Sequence, residues 1–234
     1  MTRLDEAAWP SIPNGALLLV PLGSTEQHGP HLPFTVDARV ASAVAVAVGA
    51  RLDAVVAPVL AFGSSGEHQQ FAGTLSIGQD ALRLLLVELV RSARTWAARV
   101  VLVNGHGGNV PVLSEVVPSL RGEGHDVAWL GLGSAGASGD AHAGRTETSL
   151  MLHLDPARVA GFDDVVGATA PITELMPALR DGRLREVAPN GVLGDARGAT
   201  AAEGAALLGS MVDEAVARIR LGDVGPLGEL RGRA

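Results

Sequence analysis

The sequence predicts an α/β fold, a three-layer sandwich around a mainly parallel central sheet. Three observations lead there. Short runs rich in Val and Leu recur along the first half of the chain. Stretches of helical length separate them, and strand–helix alternation of this kind builds a parallel sheet covered on both faces. Two of the runs end in turns rich in His and Gly, at the carboxyl ends of strands, where open α/β sheets place their sites.

The elements follow in order. Ala16 to Pro21 is an apolar run that reads as a buried strand. The Ala/Val-rich stretch from Asp37 to Arg51 has the length of a helix, and Ala54 to Leu60 reads as a second strand. From Gln79 to Ala98, Leu82, Leu85, Leu86, Leu89 and Ala93 recur at helical spacing, so one face should lie on a sheet. Arg99 to Asn104 is a third strand, Val110 to Arg121 a helix, and Asp126 to Leu130 a fourth strand. Residues 133–144, rich in Gly, Ala and Ser, read as a loop. Arg145 to Leu154 is a short helix stopped by Asp155-Pro156. Residues 160–199 carry many Gly and Pro and little periodicity. Residues 200–220 form a last helix, with Leu208, Met211, Val212, Ala215 and Ile219 on one stripe. No repeat and no linker divides the chain, so 1–234 is expected to form a single domain.

Composition removes whole classes of function. At 234 residues and 47% hydrophobic, the chain can bury a sizeable core without staples. It has no cysteine, which excludes disulfides, iron–sulfur clusters and thiol catalysis. It has no lysine, which excludes a Schiff base or a P-loop lysine. A net charge of -7 and the lack of a basic stripe argue against a nucleic-acid partner. The apolar runs are too short to span a membrane, and the N-terminus lacks a signal-peptide pattern. A cytoplasmic protein is the expectation.

Chemistry concentrates in three places. The first is Gly23 to Asp37, which puts Glu26, His28, His31 and Asp37 within twelve positions after the first strand. Alone, Asp37 reads as a helix N-cap, His31 as a hydrogen-bonded structural histidine and Glu26 as a solvated loop residue. Together, in a loop braced by Pro30 and Pro33, they point to metal. Glu26 and His28 are two apart, so in extended chain their side chains point the same way. The two oxygens of Asp37 can bridge two cations. Mixed carboxylate and imidazole ligands suit Zn, Mn or Fe rather than Ca or a soft metal.

The second place is Asn104-Gly105-His106-Gly107-Gly108-Asn109, directly after a strand. Its spacing fails the dinucleotide fingerprint, since Val110 stands at the third glycine position. The choice is between a tight turn with an incidental histidine and His106 as a metal ligand, and the latter is favoured. The third is Asp140 to Met151. If this is helical from Arg145, Glu147 shares a face with Leu150 and Met151, where a carboxylate is costly unless paired or metal-bound. A surface ion pair with Arg145 is the competing reading. His142, in the preceding loop, is placed to give a proton or touch substrate. His125 and His153 are left out of the site.

The motifs Gly23 to Pro33, Asn104 to Asn109 and His142 to Ser149 resemble, in order, those of the creatininase family of metal-dependent amidohydrolases, over roughly residues 4–220. Gly191 to Asp195 is similar to a late motif of the family, with Ala196 where Pro is common; the role of Asp195 stays open. The segment Phe62 to Gly78 resembles a group within the family that trims a modified ribosomal peptide at its C-terminus during redox-cofactor biosynthesis.

The resemblance implies an α/β sandwich, a homo-oligomer, and two divalent metal ions (Zn, Fe or Mn). It carries ligands over at Glu26, His28, Asp37 and His106. Creatininase has a Glu two positions after the histidine of the second motif, where this chain has Gly108; Glu147 is the expected replacement. Asp37 would bridge, with Glu26 and His106 completing one position and His28 and Glu147 the other. His142 would protonate the leaving nitrogen. Glu67, His68, Gly107 and Asn109 are expected to contact substrate, and His31 to contact substrate or support a ligand. The implied substrate is a peptide or small amide. No tryptophan lies between Gly133 and Gly144, which argues against creatinine. The alternatives are a creatininase-type amidohydrolase of a cyclic amide or formamide and, more remotely, a non-catalytic metal-dependent peptide-binding subunit.

Overall fold

In the computed structural model, which describes residues 1–132 and 140–232, the chain winds a five-stranded, all-parallel sheet. The strands are β1 (Thr2–Arg3), β2 (Leu17–Leu22), β3 (Val55–Val56), β4 (Arg99–Asn104) and β5 (Val127–Gly131). Their order is β1-β3-β2-β4-β5. The helices are α1 (Val36–Leu52), α2 (Gly78–Ala93), α3 (Val110–Gly122), α4 (Arg145–Leu154), α5 (Ile172–Arg180), α6 (Leu184–Val187) and α7 (Ala201–Leu221). Residues 133–139 of the expected loop lie outside the described residues.

The three layers follow from the two-residue period of the strands. Leu18, Val20 and Leu22 of β2, with Val100 and Leu102 of β4, face α2 and α3. Leu19, Val101 and Val103 face the other way, onto Val44 and Val48 of α1 and Val212, Val216 and Ile219 of α7. A strand buried on both faces reads as one unbroken apolar run, and β2 and β4 do. Each fully buried Leu or Val contributes about 1.5–3 kcal/mol, so this core holds the frame apart from any site built on it. Among the described residues, no helix is long and apolar enough to cross a membrane.

Three expectations are corrected. The strand over 54–60 shortens to Val55–Val56: Pro58 has no N–H to give a ladder, and Leu60 makes only a single bridge to Leu22. The helix over 79–98 stops at Ala93, because the chain turns at Arg94–Ala97 to enter β4. The aperiodic stretch 160–199 holds α5 and α6, short helices organised by a small cluster of Leu175, Leu179, Leu184, Ala188 and Leu193. Such a cluster has too few residues to show a period.

The strand order places the site. From β2 the chain goes to β3 on one side, then returns across β2 to β4 on the other. The loops leaving β2 and β4 therefore part, opening a crevice at their carboxyl ends. The first turn of α1 fills its floor. A Cβ at Gly23 after β2, or at Gly105 after β4, would strike the backbone of Asp37–Ala38. Glycine at both strand ends is what lets Asp37 sit between them.

Candidate metal centre

Asp37 stands at the centre, buried, one residue into α1. Its two oxygens face different histidines. Oδ2 lies 3.2 Å from His106 Nδ1, and Oδ1 lies 3.1 Å from His28 Nε2. Ser24 Oγ donates to Oδ2 at 2.5 Å and fixes the carboxylate plane. Around Asp37 two triads assemble, each with ligand atoms within 4.8 Å of one another: Glu26–Asp37–His106 and His28–Asp37–Glu147. His106 Nε2 is 3.2 Å from Glu26 Oε2; His28 Nε2 is 3.8 Å from Glu147 Oε2. The loop after β2 supplies Glu26 and His28, the loop after β4 supplies His106, and α4 supplies Glu147 from its first turn. Ala143, at φ +54, donates its N–H to Glu147 Oε2 at 2.6 Å.

Electrostatics explain what the cluster can hold. Burial pushes the Glu26 carboxyl up to about 7, against the pull of His106. Burial alone would lower His28, but the charges of Asp37 and Glu147 outweigh it and lift it to about 10. Glu26 and Asp37 do the same for His106, also to about 10. Asp37 is held well below the carboxylate range, despite burial, by His28 and His106. The carboxylates thus call for positive charge among them. Among the described residues, neither buried oxygen of Glu26 has a hydrogen-bond partner, a costly state that a cation would relieve. The donor set of carboxylate and imidazole, without thiolate, fits a divalent transition metal or zinc.

The other expected site residues take distinct places. His68 is buried, with Nε2 3.3 Å from Glu26 Oε1. His142 is buried against the rings of His28 and His68, at centroid distances of 4.2 and 4.5 Å, and its Nδ1 is 3.7 Å from Glu26 Oε1. Burial holds the pKa of His142 well below the usual range and that of His68 down to about 3. Glu67 reaches in from the turn Gly66–His68, its Oε1 3.5 Å from His106 Nε2, with its side chain 23% exposed. Gly107 lines the cavity beside His106, a space of about 320 Å³ whose apolar wall includes Val40, Leu132, Leu150 and Met211.

Two expected substrate residues face away from the carboxylates. His31 Nε2 meets Thr148 Oγ1 at 2.8 Å and so braces α4 beside Glu147. Asn109 is fully buried and latches three loops, donating to Gly23 O and Asn104 Oδ1 and accepting from Ser64 N. Neither side chain reaches the cavity in this arrangement. Sequence reasoning passed over Ser24, Asn104 and Gln27. Asn104 donates to His106 O at 2.7 Å and shapes that loop. The signal for Ser24 and Gln27 was their position inside the ligand loop itself. The competing Glu147–Arg145 ion pair does not form; Arg145 pairs with Glu203 of α7.

Known proteins resemble this chain in sequence and in fold. The creatininase family model, described as creatinine amidohydrolase, matches residues 5–219. A mycofactocin precursor peptide peptidase of Mycobacterium ulcerans (strain Agy99) is 52% identical over 233 residues, 96% of this chain and 90% of the relative. Among solved structures, a manganese form of creatininase is 29% identical, with a TM-score of 0.75, over 94% of this chain and 98% of that one. A mutant creatininase of Zn-Zn type is also 29% identical, with a TM-score of 0.75, over 94% and 97%.

Proposed function

Because this chain belongs to the creatininase family, we propose that it is a metal-dependent peptidase that trims the C-terminus of a modified ribosomal precursor peptide in mycofactocin biosynthesis. The observation that carries the reading is the pair of triads sharing Asp37, in a chain 52% identical to a precursor peptide peptidase over almost its full length. Glu26, Asp37 and His106 would hold one divalent ion; His28, Asp37 and Glu147 would hold the other. Such ions, when bound, activate a water and polarise the carbonyl of the scissile amide.

The chain's own groups do the rest. Asp37 keeps the triads in register through its two oxygens. His142 turns Nδ1 toward Glu26, where it can take a proton from the attacking water and pass it to the leaving nitrogen as the C–N bond breaks. Glu67, partly exposed beside His106, would contact substrate. Val40, Leu132, Leu150 and Met211 would give an apolar surface to the substrate beside the carboxylates.

The test is mass spectrometry of products from modified and unmodified precursor peptide, with Zn, Mn or Fe added singly. Loss of a C-terminal fragment is expected. Cleavage of neither peptide, alongside turnover of a cyclic amide or a formamide, would replace the peptidase by a small-amide hydrolase. Glu147→Gln tests the second triad. Metal content measured on the purified variant should fall from two equivalents to one, with loss confined to the His28 side. Unchanged occupancy would remove Glu147 from the ligand set.

A further inference from the structure

We propose that Gln27 is a positioning residue that decides which end of each neighbouring imidazole meets Glu26: the N–H end of His68 and the open lone pair of His142. The inference rests on the metal-hydrolase reading for its purpose, but its geometry stands apart.

Backbone groups fix the orientation of the Gln27 amide. Gly29 N–H can only donate, and it points at Gln27 Oε1 at 2.8 Å. Gly191 C=O can only accept, and it takes a hydrogen from Gln27 Nε2 at 2.9 Å. The amide therefore has one orientation, with one N–H left. His142 cannot accept it. Its Nε2 lies 2.8 Å from the Gln27 carbonyl, which accepts only, so His142 Nε2 carries a hydrogen of its own. The remaining Gln27 N–H goes to His68 Nδ1 at 2.9 Å. The 3.2 Å approach of Gln27 Nε2 to His142 Nε2 is then between two donors whose hydrogens point elsewhere.

The consequence follows from imidazole chemistry. His68 accepts at Nδ1, so its hydrogen is on Nε2, the atom 3.3 Å from Glu26 Oε1. His142 has its hydrogen on Nε2, so Nδ1, 3.7 Å from the same oxygen, carries a free lone pair. Both rings are the same tautomer, but they present opposite ends. The group Glu26–Glu67–His68 has the residue types for a further cation, yet an N–H cannot ligate one. Gln27 thereby withholds His68 from that group as a ligand. It also leaves His68 as a donor for a substrate oxygen and His142 as the acceptor for a proton. The late motif acquires a part here: a Cβ at Gly191 would strike the Gln27 amide.

The test is ¹⁵N NMR of the zinc-loaded, histidine-labelled protein. Both His68 and His142 should show a protonated Nε2 and a non-protonated Nδ1. In Gln27→Glu an oxygen replaces the donating nitrogen, so the His68 hydrogen should move to Nδ1. His142, held by the backbone carbonyl, should stay unchanged and serves as the internal control. A wild-type His68 protonated on Nδ1, or a variant in which His68 does not switch, overturns the proposal. The wild-type spectrum decides the matter alone if the variant does not fold. No substrate enters the measurement, so failure of the peptidase reading would leave it intact.

Discussion

Replacing Asp37 by Asn is expected to empty both metal positions together. Asp37 is the one residue common to the two triads, and its oxygens face His106 and His28 at 3.2 and 3.1 Å. Asn keeps the volume but offers one oxygen and an NH₂ group. Whichever way it turns, one histidine meets a donor in place of a carboxylate. Removing one partner of a buried charged pair costs about 3–5 kcal/mol; if the reacting state loses as much, activity should fall by about 10²- to 10⁴-fold. The fold should persist, since Leu19, Leu22, Leu102 and Leu113 are fully buried in the sandwich and independent of the site. Metal analysis and peptide turnover on the folded variant give the answer. Full metal content with wild-type turnover would remove the bridging role.

Gly108→Ala is expected to disable the site, whereas Gly107→Ala, one residue earlier, should be tolerated. A Cβ at Gly108 would lie under 3.0 Å from Ser64 O and His106 Nε2, and 2.6 Å from Glu67 Oε1. A Cβ at Gly107 meets nothing within 4 Å. Forced overpacking costs typically about 1–3 kcal/mol, and here the atoms that must move are a ligand and its support. The alanine at 108 should lower the melting temperature and the metal affinity; the alanine at 107 should change neither by a measurable amount. Equal behaviour of the two variants would show that the space above Gly108 is not shared with Glu67. The position is informative because creatininase has a glutamate there. In this chain the space is taken by a carboxylate from a different loop.

Much of the frame was legible in the sequence. β2 and β4 read as strands because both their faces are buried, leaving unbroken apolar runs. α2 and α7 read as helices because each lays a stripe of Leu, Val or Ile against the sheet. Asp37, His28 and Glu26 were legible because three ligand types sat in one short loop. β1 was not, since two residues show no period, nor were α5 and α6, whose cluster is small. Gln27 and Ser24 were invisible as functional residues. An amide and a hydroxyl have no signature of their own until the groups they touch are known.

The sequence by itself determined the layers, the strand ends that carry the carboxylate and imidazole cluster, and the chemical types of its side chains. These are local properties: periodicity sets which face is buried, and a turn's residues are fixed by their neighbours. The tertiary structure decided which oxygen of Asp37 faces which histidine, that Glu147 arrives beside His28 from over a hundred residues away, and that Glu67 overlies Gly108. Those depend on the reversal of strand order between β2 and β4, which opens one crevice and gathers four loops over it. The end of each imidazole that meets Glu26 depends in turn on a few backbone groups around Gln27, so ring orientation is settled last, by hydrogen bonds among segments distant in the chain.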